Sequence, residues 1–257
     1  MMRVLFFAKF RLKALIPWLV LAFLLGGAAV LFYTAPAIDY LSYPLEEMPE
    51  LFTVFGFVGN SNLPQTIRSY LYGFVMPLLL GLYAVSASRR LVARPKMDGR
   101  LAMLLAAPVH RSAVLMTLWL AGQASVVLIV LIALMGQIIM TLLLFPGADL
   151  MSLTRLALGF MPVASLAASL CFLLSAASND ERLYLRRARL LLFVMLGMTM
   201  AARLPRWTRA LRLVSFWSLF NGNLALDAAA WLGALAAGIL SLACLALSLV
   251  LFKREEF

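Results

Sequence analysis

Charged side chains cluster along this chain and leave long uncharged runs between them. The runs cover residues 14–38, 69–88, 112–148, 156–179, 190–202, 213–226 and 228–252. Five reach the ~20 residues that an α-helix needs to cross a ~30 Å hydrocarbon core. The run 190–202 is too short alone. It makes a span if the helix begins near Leu183 and Arg186, Arg187 and Arg189 reach back into the head-group layer on their apolar stems. The pattern therefore predicts an all-α membrane protein with six transmembrane helices, at about residues 14–35, 69–88, 112–145, 156–178, 183–202 and 229–252. Residues 213–226, with Ser215, Ser218, Asn221 and Asn223, have the length and mixed polarity of a re-entrant or interfacial piece.

Composition supports that reading and removes the alternatives. Of 257 residues, 64% are apolar and only 13% charged, where soluble domains carry about a quarter; the mean hydropathy is +0.98. Fifteen Gly, eleven Pro and two Cys exclude a disordered, collagenous or disulfide-stapled chain. The connection 39–68 holds Asp39, Glu46, Glu47 and Glu50 between Pro44, Pro49 and Pro64, and is too short for a domain of its own. One membrane domain, residues 1–257, is expected.

Net charge orients the spans. Six crossings put both termini on one side, and with them sixteen of the 22 basic residues and five of the eleven acidic ones, a net +11. The opposite side carries six of each and is neutral. Basic connections are retained in the cytoplasm, so a multi-pass protein of the cell membrane with both termini cytoplasmic is expected. The excess positive charge then reflects topology and contact with anionic membrane lipid, and no nucleic-acid partner is implied. Residues 1–13, with Phe6, Phe7 and Phe10 among four basic residues, read as an N-terminal interfacial helix. The apolar run that follows is longer than the h-region of a cleavable signal, so an uncleaved first span is expected. Arg203, Arg206, Arg209 and Arg212 fall on the outer side against this tendency. They form either an outer basic vestibule or an amphipathic helix that snorkels at the interface.

Catalytic apparatus is absent from the pattern. Cys171 and Cys244 fall within spans, His110 is the single histidine, and no metal-binding, nucleophile-elbow or phosphate-loop motif occurs. No catalytic or metal-ligating residue is assigned. The central parts of the spans also lack the ionisable groups that coupled transporters keep at depth. Gln123 and Gln137, about 40° apart around the third helix, either line one substrate path or hydrogen-bond to neighbouring helices. Pro77 and Pro162 are expected to bend the second and fourth spans.

The connection between spans two and three carries the most specific signal. Asp98 suits an N-cap and Pro108 disfavours helix before it, which predicts a short helix over residues 99–106. Leu101, Leu104 and Leu105 form its apolar stripe, with Arg100, His110 and Arg111 alongside. Asp98-Gly99, Leu104-Leu105, Pro108-Val109 and Arg111 resemble the loop of permease subunits of type-2 exporter-class ABC transporters. Arg100 and Met97 stand where many such permeases carry Thr or Ser and Glu. The ending Phe252-Lys253-Arg254-Glu255 is similar to theirs as well.

That resemblance implies a permease half without a nucleotide site, paired with a second permease subunit, identical or related, and with two ABC ATPase subunits. ATP and magnesium would be held by the ATPase partner, and this chain would need no cofactor. Asp98, Gly99, Arg100, Leu101, Leu104, Leu105, Pro108, His110 and Arg111 would form the coupling element. A path with amides and no buried charge favours an amphiphile, a peptide antibiotic, a drug or a lipid-linked molecule over a small ion. The alternative is a stand-alone secondary transporter or channel, which would function when reconstituted alone. An intramembrane enzyme would need paired carboxylates or an activated nucleophile at depth, and neither is present.

Overall fold

A computed structural model of the chain describes residues 12–34, 62–99, 110–203, 215–220 and 228–254. The expected interfacial helix over 1–13 lies outside these except for its last two residues. Six long helices alternate in direction: α1 (Leu12–Leu31), α2 (Leu63–Met97), α3 (Arg111–Leu144), α4 (Leu150–Ala176), α5 (Glu181–Ala201) and α6 (Ala228–Arg254). All but α5 are long and apolar enough to cross a membrane. Helix α5, at 21 residues about 30 Å long, carries Arg182, Arg186, Arg187 and Arg189 in its first half.

Contacts identify the two ends of the bundle. At one, Lys96 reaches Ala176 and Asn179, and Phe252 packs with Leu91, Leu115 and Phe172. At the other, Tyr33 meets Phe145 and Phe32 meets Tyr70 edge to face, with centroids 5.5 and 5.4 Å apart. The first end holds Arg89, Arg94, Lys96, Arg182 and Arg254, and is called the basic end below. Helices α2 and α4 form the centre, about two-thirds buried, whereas α1 and α6 are peripheral, about one-third buried or less. The outward faces are apolar: Leu143, Leu190 and Ile239 are each about two-thirds exposed, which suits hydrocarbon and not water.

Helix α2 is the irregular element, and its prolines explain how. The helix widens to π geometry over Ile67–Val75 and again over Arg89–Ala93. Each stretch ends two residues before a proline, Pro77 and Pro95. A proline offers no N–H to the carbonyl four residues back. The backbone instead closes a wider turn, with Met76 N–H on Leu71 O and Arg94 N–H on Arg89 O. The result is one helix of 35 residues, about 50 Å long, which runs well past the expected boundary at residue 88. Helix α3, at 34 residues, is of similar length.

Backbones approach closely where side chains vanish. A Cβ at Gly26 of α1 would stand 2.2 Å from Ala133 O, and one at Gly136 of α3 would stand 2.4 Å from Phe23 O. Gly26 and Gly136 therefore seal an intramolecular α1–α3 seam. Between α5 and α6 a short 3₁₀ turn, Phe216–Leu219, tucks Phe216 and Trp217 inside, with Trp217 stacked on Phe160 at 6.2 Å. This turn belongs to the run read as re-entrant or interfacial.

Replacing Gly26 by Ala is expected to destabilise the chain by about 1–3 kcal/mol or more, because the contact is with backbone that cannot move aside. Gly238→Ala meets no heavy atom within 4 Å and is expected to leave the thermal midpoint in detergent unchanged or slightly raised.

Candidate functional site

The basic end is built around the last turns of α2. Arg89 donates from Nε to Glu181 at the start of α5. Lys96 donates from Nζ to Ala176 O at 3.0 Å and to Asn179 Oδ1 at 3.1 Å, so a cation meets the free carbonyls at the end of α4. Ser175 Oγ donates to Ser88 O at 3.1 Å, and the buried Tyr184 hydroxyl donates to Val85 O at 3.0 Å. A small apolar core, Leu91 and Val92 with Val114, Leu115, Leu118, Phe172 and Phe252, fills the same end. These contacts fasten α2 to the α4–α5 turn, to the first turns of α3 and to the end of α6. The Arg94–Asp98 pair, 3.7 Å apart and exposed, adds little.

The candidate coupling residues sit where this block ends. Asp98 is the C-cap of α2, its N–H on Arg94 O at 2.9 Å, and not the N-cap expected from sequence. Gly99 follows at φ +69°, the left-handed conformation that stops a right-handed helix. No helix can therefore begin at Gly99. Arg100, Leu101, Leu104, Leu105 and Pro108, and with them the expected short helix, lie outside the described residues. His110 returns as the exposed N-cap residue of α3, its carbonyl accepting from the Ala113 and Val114 amides, and Arg111 is the first residue of that helix. The structure thus places both flanks of the segment on long helices that leave the basic end.

The two glutamines belong to separate networks, about 21 Å apart along α3 by the helical rise. Gln123 Nε2 donates to Ser169 Oγ at 2.8 Å, and its Oε1 accepts from Ser165. Ser169 also accepts from Trp119 Nε1 at 2.9 Å and shares a 2.7 Å hydrogen bond with Ser241 of α6. Three helices, α3, α4 and α6, are joined by this cluster. Beside it a small crevice of about 10 Å³ opens among Tyr83, Ser88, Leu91, Trp119, Gln123 and Phe172. Gln137 is fully buried and exchanges hydrogen bonds with the Tyr72 hydroxyl of α2 at 3.0 Å. Both amides are satisfied by neighbouring helices, and they face different ones. Two other buried polar atoms, Thr141 Oγ1 and Trp217 Nε1, lack a partner among the described residues.

At the opposite end Arg203 is the described member of the outer basic cluster; Arg206, Arg209 and Arg212 lie outside the described residues. Its Nη2 donates to Gly73 O at 3.0 Å. That carbonyl is the one deprived of its ordinary i+4 donor by Pro77. A Cβ at Gly73 would stand 2.3 Å from the guanidinium, so Gly73 supplies the space and Pro77 the acceptor. Asp149 caps α4, accepting from Met151 N–H at 3.0 Å. Its hydrogen bond from the Ser152 hydroxyl, aided by that amide and by Arg155, holds its carboxyl below the usual range. Among the described residues no group of three or more His, Cys, Asp or Glu side chains is placed to hold a metal ion.

Sequence reading missed Arg89, Glu181, Lys96 and Tyr184 because their partners lie about 80 to 100 residues away. A signal for the serine cluster existed in the one-turn spacing of Ser165 and Ser169 on α4. Comparison with known proteins matches residues 7–257 to the family described as ABC-2 family transporter protein. No curated protein matches the chain.

Ser169→Ala is expected to leave Trp119 Nε1 without its acceptor, and Ser241 Oγ with only the longer contact to Ser165, and to cost about 1–2 kcal/mol. In a cycle with Trp119→Phe, thermal unfolding of the double variant is expected to lose less than the sum of the two single variants.

Proposed function

The chain belongs to the ABC-2 transporter family, and from that membership we propose that it is the membrane-spanning subunit of an ATP-driven exporter. It forms the translocation path with a second permease subunit and couples to two separate ATPase subunits, which hold ATP and magnesium. The match across nearly the whole chain carries this reading. Its sequence has no phosphate-binding loop of its own, so the chemistry of hydrolysis falls to the partner and this chain acts as a permease, not an enzyme.

Helix α5 is the remaining span. It is about as long as the hydrocarbon core is thick, and its buried residues Tyr184, Ala188, Leu192 and Leu196 recur every four positions against the bundle. With α5 counted there are six crossings, both termini share the basic end, and that end faces the cytoplasm by the distribution of Lys and Arg.

The coupling element is the segment from Asp98 to Arg111, with Leu101, Leu104 and Leu105 seated in a groove of the ATPase and Arg100, His110 and Arg111 at the rim. Support comes from the flanks. A displacement of this segment acts on Met97 and Arg111, the ends of two helices each about 50 Å long. At the same end, Arg89, Lys96 and Tyr184 tie α2 to α4 and α5. Closure of the ATPases on ATP would therefore move several helices together, and differential binding of substrate to the inward and outward arrangements would give the direction.

Affinity purification of the tagged chain from its native membrane is expected to recover an ATPase subunit. Leu104→Asp with Leu105→Asp is expected to reduce that recovery at least about tenfold, as loss of an apolar anchor does. A chain that purifies alone and still moves solute would establish the stand-alone transporter instead. A cysteine placed at Arg206 is expected to react with an impermeant thiol reagent in intact cells; reaction only after permeabilisation would reverse the topology.

A further inference from the structure

Helices α2 and α5 touch along one side and part along the other. The gap is a shallow open groove that encloses only about 10 Å³, walled by Leu78, Leu82 and Val85 of α2 and by Leu192, Phe193 and Leu196 of α5, with Arg189 among its lining residues. Its rims are open to the surroundings, since Leu82 is 40% and Phe193 53% exposed. From Arg189 to Leu196 the groove follows α5 for about 10 Å. Apart from Arg189 every residue named here is apolar, so the chemistry of this open trough suits a hydrocarbon chain lying along it.

The arginine is the informative part. Arg182, Arg186 and Arg189 recur at four and then three residues and are all exposed, so they share one outward face of α5. Among the described residues the ion pairs are Arg89–Glu181 and Arg94–Asp98, so none of these three arginines has a carboxylate there. The acid of their own helix, Glu181, is engaged by Arg89. Asp180 caps the start of the helix, beside Arg182, so the excess positive charge is carried by Arg186 and Arg189. Arg189 also lies eight residues, about 12 Å, into a helix whose next residues on this face, Leu190 and Phe193, are apolar and exposed. A guanidinium at that depth reaches up to the head-group layer on its apolar stem, where an anionic phosphate is the partner that offsets its charge.

We propose that this groove is a binding site for an anionic phospholipid of the leaflet at the basic end, its acyl chain between α2 and α5 and its phosphate on Arg189 and Arg186. The inference rests on α5 being embedded beside α2. A net positive cluster with an apolar trough selects a doubly suited ligand: the negative head group over a zwitterionic one, and a lipid over a free anion.

The full chain, purified with its partners from vesicles of equal phosphatidylglycerol and phosphatidylcholine, is expected to retain phosphatidylglycerol in excess of its bulk share, read by native mass spectrometry. Arg186→Gln with Arg189→Gln is expected to reduce that preference more than tenfold, at about fivefold per arginine. Arg186→Lys with Arg189→Lys is expected to keep most of it, and Leu78→Trp, which fills the groove, to lower retention of either lipid. Unchanged preference in the glutamine pair overturns the proposal, as does displacement of the lipid by inorganic phosphate alone. Disulfide formation between Leu82→Cys of one copy and Phe193→Cys of another would put a second chain in the groove and overturn it too. Labelling of Phe193→Cys by a water-soluble maleimide would show that α5 itself is not embedded, a failure distinct from loss of lipid selectivity.

Discussion

Hydrocarbon supplies no hydrogen-bond partner, and that constraint shapes every unusual feature of this molecule. Among the described residues six long helices satisfy most backbone groups internally, but α2 contains Pro77 and Pro95 in its interior and cannot do so with regular turns. Two π stretches re-route its hydrogen bonds, and the carbonyl of Gly73, which Pro77 cannot serve, takes a donor from Arg203. Buried side-chain polarity follows the same rule. Gln123 finds two serines, Gln137 finds Tyr72, and Trp119 finds Ser169. An amide that looks like path-lining polarity on a single helix becomes, once its neighbours are in place, a connection between helices.

At the basic end, hydrogen bonds, an ion pair and an apolar group tie α2 to four neighbouring helices. Around the last turns of α2, Arg89 and Lys96 reach partners on α5 and α4, while Tyr184 of α5 and Ser175 of α4 donate back to α2 carbonyls. The apolar group that includes Phe252 fills the space between them. Phe252 belongs to the C-terminal motif, and its burial at 2% exposure gives that motif a physical role: it wedges α6 against α2, α3 and α4. Under the proposed function, a segment between α2 and α3 at this end would act on a block and not on a single helix.

Much of this was legible in the sequence, and the gaps have physical causes. Five membrane-crossing helices follow from the length of the uncharged runs, because crossing a bilayer requires length and apolarity and little else. Helix ends were less legible. The boundary at residue 88 assumed that a helix stops where charges begin, whereas α2 continues through Arg89, Arg90, Arg94 and Lys96 because those side chains have partners or water at the basic end. Asp98 was read as starting a helix and instead ends one. Residue type alone does not tell an N-cap from a C-cap, and the left-handed Gly99 decides it. The close approach at Gly26 becomes visible only in the packed helices, which show that its partner is α3 of the same chain. The candidate coupling residues were legible as a motif, and the structure adds their two flanks.

The central claim is that the end of α2 and the α4–α5 turn move as one body. Spin labels at Asp98→Cys and Arg182→Cys, both exposed, report the distance between them in the assembled complex. With and without ATP, that distance is expected to change by no more than about 2 Å, the scale of small helix shifts. A change of about 5 Å, one helical turn of slip between α2 and α5, would contradict the account.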